Sequence, residues 1–146
     1  MNVKSLIKNI ALPLVIGIIV GLIMMPFNDY KDLVQPPFSP PAILFPIVWT
    51  ILYILMGISA YIISLRGGSL SIYFVQLFVN ALWSILFFVF KLRLISFIWI
   101  ILLIILVIKM IKDFLKINSL AGYLQIPYLI WLIFAAYLNL GVYILN

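Results

Sequence analysis

The stretch from Ala42 to Leu65, AILFPIVWTILYILMGISAYIISL, decides the fold. It has no charged side chain over its whole length, and about 20 such residues in a helix cross the hydrocarbon core of a bilayer. Four further segments share this character: residues 6–25, 70–90, 94–111 and 121–143. In the fourth the charge-free part, 94–108, is short, and Lys109 and Lys112 are expected to snorkel toward the headgroups. The composition agrees. Of 146 residues, 68% are hydrophobic and 8% charged, too few to cover a water-facing surface, where roughly 25% is usual. The expectation is an all-α, integral membrane bundle of five transmembrane helices forming one domain over residues 1–146.

The interruptions between these segments have physical causes. Arg66-Gly67-Gly68-Ser69 carries a charge and two helix-breaking glycines, Lys91 and Arg93 separate the third and fourth spans, and Lys112, Asp113 and Lys116 separate the fourth and fifth. Short connections of this kind place neighbouring helices antiparallel. Residues 26–41 form the longest loop, with Phe27, Tyr30 and Phe38 among prolines. Pro40-Pro41 suits the start of a helix, where a missing N–H costs nothing, and Pro46 is expected to kink the entrance of the second span. Lys4, Lys8, Arg66, Lys109, Lys112 and Lys116 fall on one side of the membrane, against Lys31, Lys91 and Arg93 on the other. That bias predicts a multi-pass protein of the cell membrane with a cytoplasmic N-terminus. The first apolar run is longer than a signal-peptide core and lacks a small-x-small site after it, so it is read as a retained helix.

Composition also excludes chemistry. The chain has no Cys and no His, which removes thiol nucleophiles, zinc sites and histidine acid–base catalysis. The acids are Asp29, Asp32 and Asp113 alone. The net charge of +6 is spread singly between apolar runs and forms no stripe for nucleic acid.

Polar and aromatic groups nevertheless recur inside the spans at helical spacing. Trp49, Tyr53, Gly57 and Tyr61 form a stripe on the second, while Gln76, Asn80 and Ser84 share a face of the third beside Trp83 and Phe87. Pro127, Trp131, Ala135, Asn139 and Tyr143 form a series on the fifth, with Tyr128 next to it. The fourth span has only Trp99 among lipid-type residues and reads as peripheral. For any one stripe, interfacial anchoring or helix joining is the commoner meaning. Three together, with Gly57 and Ala135 near the tryptophans, describe a slot for a flat apolar ligand. Gly17-Ile18-Ile19-Val20-Gly21 allows close helix approach, either inside the bundle or between protomers.

These residues carry a resemblance. Gln35-Pro36-Pro37-Phe38-Ser39-Pro40-Pro41, Phe45-Pro46-Ile47-Val48-Trp49-Thr50-Ile51-Leu52-Tyr53, Met56-Gly57, Gln76-Leu77, Asn80-Ala81-Leu82-Trp83-Ser84, Pro127-Tyr128-Leu129, Trp131 and Phe134-Ala135-Ala136-Tyr137-Leu138-Asn139 follow in order along nearly the whole chain. The sequence resembles the translocator protein family (TspO/MBR, or tryptophan-rich sensory proteins). The resemblance implies a five-helix bundle that binds porphyrins and other flat hydrophobic molecules, with the first loop as a lid, and it implies a homodimer. It also implies light-dependent breakdown of protoporphyrin IX, with Trp49 and Trp131 as the catalytic tryptophans. Ligand contacts are expected from Tyr30, Phe38, Pro46, Trp49, Tyr53, Asn80, Trp83, Phe87, Trp131, Ala135 and Asn139. No cofactor or metal is required beyond the porphyrin, which is ligand or substrate.

Three departures stand out. Phe38 occupies a loop position where the family usually has Trp, the proline of the Phe45–Thr50 motif is displaced by one residue, and Tyr143 is followed by no base, which argues against cholesterol binding. Porphyrin binding therefore ranks first, transport of a hydrophobic metabolite second and a sensory or scaffold subunit third. Ionisable residues within the spans and internal repeats, both common in transporters, are missing from the sequence.

Overall fold

A computed structural model describes residues 2–146. It is all-helical over these residues, and five stretches are long and apolar enough to cross a membrane. Helix α1 spans Val3–Met24, α2 Leu44–Leu65, α3 Ser71–Ser84, α4 Arg93–Ile117, α5 Ser119–Tyr123 and α6 Ile126–Leu145. Helix α3 continues through a π-helical turn at Ile85–Val89, and α5 with α6 makes one broken span.

The ends of these helices differ from the sequence reading for identifiable reasons. Helix α4 continues past residue 111, because Lys109 pairs with Asp113 at 2.8 Å, one turn on, and its lysines extend into the headgroup level. The fifth span is divided at Gln125, which caps α6 and is followed by Pro127 in that helix's first turn. Pro46 stands in the first turn of α2, where no intrahelical donor is lost, so it introduces no break in the helix.

Packing reverses the expected role of the fourth span and sets α1 at the edge of the bundle. Helix α4 packs on α3, α5 and α6 and buries Ser96, Ile100, Leu103, Val107, Met110, Ile111 and Phe114, so it is central rather than peripheral. Helix α1 buries only Pro13 and lies outermost, against α2 and more lightly against α3. A lipid-facing and a core-facing apolar surface have the same composition in a membrane protein, so side-chain type does not separate them.

Helices α1 and α2 meet at their glycines. A Cβ on Gly57 would collide with the backbone of Ile10 and lie 2.7 Å from the carbonyl oxygen of Asn9. That carbonyl is the one whose helical donor Pro13 removes. Gly17 opposes the ring of Tyr53, while nothing lies within 4 Å of a Cβ built on Gly21. The G-x-x-x-G motif therefore serves the bundle at its first glycine and leaves the second open. Gly57→Ala is expected to lower stability by about 1–3 kcal/mol, because backbone must move to admit the methyl group. Gly21→Ala should leave the thermal unfolding temperature in detergent unchanged or slightly raised. Equal temperatures for the two variants would contradict this packing.

Candidate functional site

The structure gathers the predicted aromatic and amide residues into three adjoining sets at and below the loop of residues 25–43. In the first, Trp49 packs against Tyr53 (5.5 Å between ring centroids) and edge-on against Tyr128 (6.1 Å). The Tyr128 hydroxyl accepts a hydrogen bond from Asn80 Nδ2 (2.6 Å) and donates one to Gln76 Oε1 (2.7 Å). All three of these polar residues are buried. Tyr128 thus stands between Trp49 of α2 and the amide face of α3, a central place that its sequence position, outside the main α6 stripe, did not signal.

The second set lies under the loop. Tyr30 meets Phe45 edge-on (5.0 Å), Phe45 meets Trp131 (5.8 Å), and Trp131 continues to Phe134 (5.5 Å). Phe45, one turn before Trp49, was not among the expected contacts. Burial pushes the Tyr30 phenol above its usual pKa, and its hydroxyl donates to the Pro40 carbonyl.

The third set joins α3, α4 and α6. Trp83 stacks on Phe87 (5.6 Å) and donates its indole N–H to Asn139 Oδ1 (3.0 Å). Asn139 Oδ1 also accepts from Ser96 Oγ, and Asn139 Nδ2 donates to the Arg93 carbonyl (2.8 Å). The Arg93 guanidinium lies 4.4 Å over the Phe87 ring. Ala135, one helical turn before Asn139 on α6, is buried in the core.

Two predicted contact residues fall elsewhere. Phe38 is 91% exposed, with φ of 68°, and does not cover the aromatic sets. Its left-handed backbone at the Pro37-Phe38 turn directs the ring away. Pro46 is exposed on the outer side of α2. Asn80 and Asn139 are placed centrally, yet the polar atoms named above are already engaged with Tyr128, Trp83, Ser96 and Arg93.

The loop is fastened over the site at several points. Gln35 Nε2 donates to the Tyr30 carbonyl and Tyr137 Oη donates to the Pro37 carbonyl, each at 2.7 Å. Pro36 is buried against Gly141, where a Cβ would come within 2.6 Å of its ring. Asn146 pairs with both backbone groups of Val34, at 3.0 and 2.9 Å. Asp29 Oδ2 receives Arg93 (2.8 Å) and Lys91 (3.1 Å) from the turn between α3 and α4. Partial burial pushes the Asp29 carboxyl up, but the hydrogen bonds and charges of Lys91 and Arg93 outweigh it and hold the pKa below the usual value.

Beside the second set, and sharing Trp131 and Phe134 with it, α2 and α6 frame an apolar groove of about 630 Å³ that is also lined by Val48, Ile51, Leu52, Pro127 and Ile130. Trp131 Nε1 is buried and has no hydrogen-bond partner among the described residues.

The model of the TspO/MBR family matches residues 9–145. The chain belongs to the TspO/MBR family. It is 37% identical to the tryptophan-rich protein TspO of Archaeoglobus fulgidus, covering 100% of this chain and 99% of that protein. It is 33% identical to a tryptophan-rich sensory protein of Cereibacter sphaeroides, covering 86% of this chain and 82% of that one. A translocator protein homolog of Schizosaccharomyces pombe is 33% identical, with 92% and 87% covered. The five apolar helices and this membership make it a multi-pass membrane protein.

Two outcomes test the geometry of this TspO/MBR member. Tyr128→Phe leaves Gln76 Oε1 and Asn80 Nδ2 unpaired in the bundle, and a loss of about 1–3 kcal/mol in unfolding free energy is expected by denaturant titration. The Asp29 pairing contributes stability above the ordinary carboxylate value of 3.8 and loses it as pH falls through the lowered native value. Amide exchange over residues 28–35, corrected for intrinsic rates, should therefore rise in acid. Asp29→Asn should already exchange fast at neutral pH.

Proposed function

We propose that this protein binds flat hydrophobic ligands, porphyrins such as protoporphyrin IX first among them, along the aromatic faces of α2 and α6. The observation that carries this reading is the apolar groove beside Trp131, whose indole N–H is buried without an acceptor. An unpaired donor at membrane depth is costly, and a rotation of the Trp131 ring toward the groove would let a ligand carbonyl or ring nitrogen pair with it. Trp49, Tyr53, Phe45 and Phe134 extend the ring-lined surface on either side. Family membership supports the same class of ligand.

Light-dependent breakdown of the bound porphyrin is the associated activity. The porphyrin absorbs the light, and the indole of Trp131 or Trp49 passes one electron to the excited ring, leaving an indole radical cation and a porphyrin radical anion, while dissolved dioxygen is the oxidant that ring opening requires. The non-tyrosine polar groups buried in the bundle are Ser59, Gln76, Asn80, Ser96, Gln125 and Asn139, all neutral, which favours binding over proton-coupled transport of a hydrophobic metabolite. A homodimer in the cell membrane with a cytoplasmic N-terminus completes the reading. Asn2 donates its N–H to Tyr61 Oη near the end of α2, which puts the cations of the N-terminus and of the α2–α3 turn on one side.

Titration with protoporphyrin IX in detergent is expected to quench tryptophan fluorescence saturably. Illumination should then convert the pigment faster than protein-free detergent does. Trp131→Phe should keep binding within a few-fold and slow the conversion. The absence of saturable quenching would remove the porphyrin reading, and unchanged conversion in the variant would remove the role of Trp131.

A further inference from the structure

Arg93 and Lys91 share one acceptor atom, Asp29 Oδ2, although two cations and a two-oxygen carboxylate meet there. Asp29 Oδ1 and Arg93 Nε are both buried and have no partner among the described residues. An arginine–carboxylate pair commonly engages through two parallel hydrogen bonds. Here only one terminal nitrogen of the fork is used by Asp29, at 2.8 Å. Two positive charges face one negative charge, and the first turn of α4, which Arg93 begins, holds no acidic side chain. The Arg93 side chain is only 11% exposed, held over Phe87 and fixed through its carbonyl by Asn139. The cation is thus fixed in place and continuous with the Trp83–Phe87 stack.

From this geometry we propose that Arg93 and Lys91 form an acid-recognising subsite, which takes a carboxylate substituent of the ligand in exchange for Asp29. The inference deepens the porphyrin reading and rests on it for the identity of the ring, while the subsite itself is defined by the carboxylate. The preferred ligand class is a flat apolar ring carrying an acidic side chain. Such an amphiphile in a bilayer keeps its carboxylate at headgroup level. The α3–α4 turn, between two spans, lies at that level on the loop side of the bundle. Because Asp29 belongs to the loop and the cations to the turn beneath it, ligand entry and loop release become one event.

The test compares protoporphyrin IX with its dimethyl ester on the full-length protein. Wild type should bind the free acid about tenfold more tightly than the ester, the scale of one charge-assisted hydrogen bond. Arg93→Gln should abolish the preference by weakening the acid alone. Arg93→Lys, which retains the charge, should keep most of it and controls for folding. Asp29→Asn should strengthen acid binding several-fold, since it removes the internal competitor, and leave the ester unchanged. Equal affinity of acid and ester in wild type, or a preference that survives Arg93→Gln, overturns the subsite. If neither porphyrin binds, the porphyrin reading fails by itself. The same comparison with 1-pyrenebutyric acid and its methyl ester then decides the subsite, through the presence or absence of an Arg93-dependent preference for the acid.

Discussion

The hydroxyl of Tyr128, hydrogen-bonded at once to Gln76 and Asn80, is the interaction on which the rest of the bundle depends. A bilayer offers these amides no water, so each must find its partner within the protein. By supplying that partner from α6, Tyr128 links α3 to a helix with which it shares little backbone contact. The same ring presses on Trp49 of α2. One side chain thereby sets the spacing of three helices, and the aromatic faces they present follow from it.

A second level of order sits where the bundle meets water. The loop of residues 25–43 is tied to α6 through Tyr137, Gly141 and Asn146 and to the α3–α4 turn through Asp29. The first ties are hydrogen bonds from uncharged side chains and a packing contact. The last is electrostatic and half-satisfied. The loop is therefore tied to α6 by neutral contacts and latched to the α3–α4 turn by the Asp29 ion pairs, the pairing that the proposed acid subsite would exchange.

Much of this was legible in the residues, and particular failures show why the rest was not. Asn80, Trp83, Trp131 and Asn139 were placed inside the bundle by helical spacing, since polar groups in an apolar span must turn inward. Helix α4 was read as peripheral and is central, while the outermost place falls to α1. Leucine and isoleucine carry no information about whether they face lipid or protein. Phe38 was expected at the ligand from the family resemblance, but at a positive φ its ring stands 91% exposed. The latch was invisible because Asp29 and Arg93 are 64 residues apart and each reads alone as a flanking charge.

By itself the sequence determined that the chain is a membrane bundle of five helices, that it offers neither thiol nor imidazole chemistry, and that rings and amides cluster on three spans. These follow from composition and period, which act locally along the chain. Tertiary structure decided which amide pairs with which ring, which tryptophan keeps a free N–H, and where the loop is held. Those outcomes depend on distances between helices, and such distances are set by whole-bundle packing around a few close approaches, at Gly57 against Ile10 and at Tyr128 between α2 and α3.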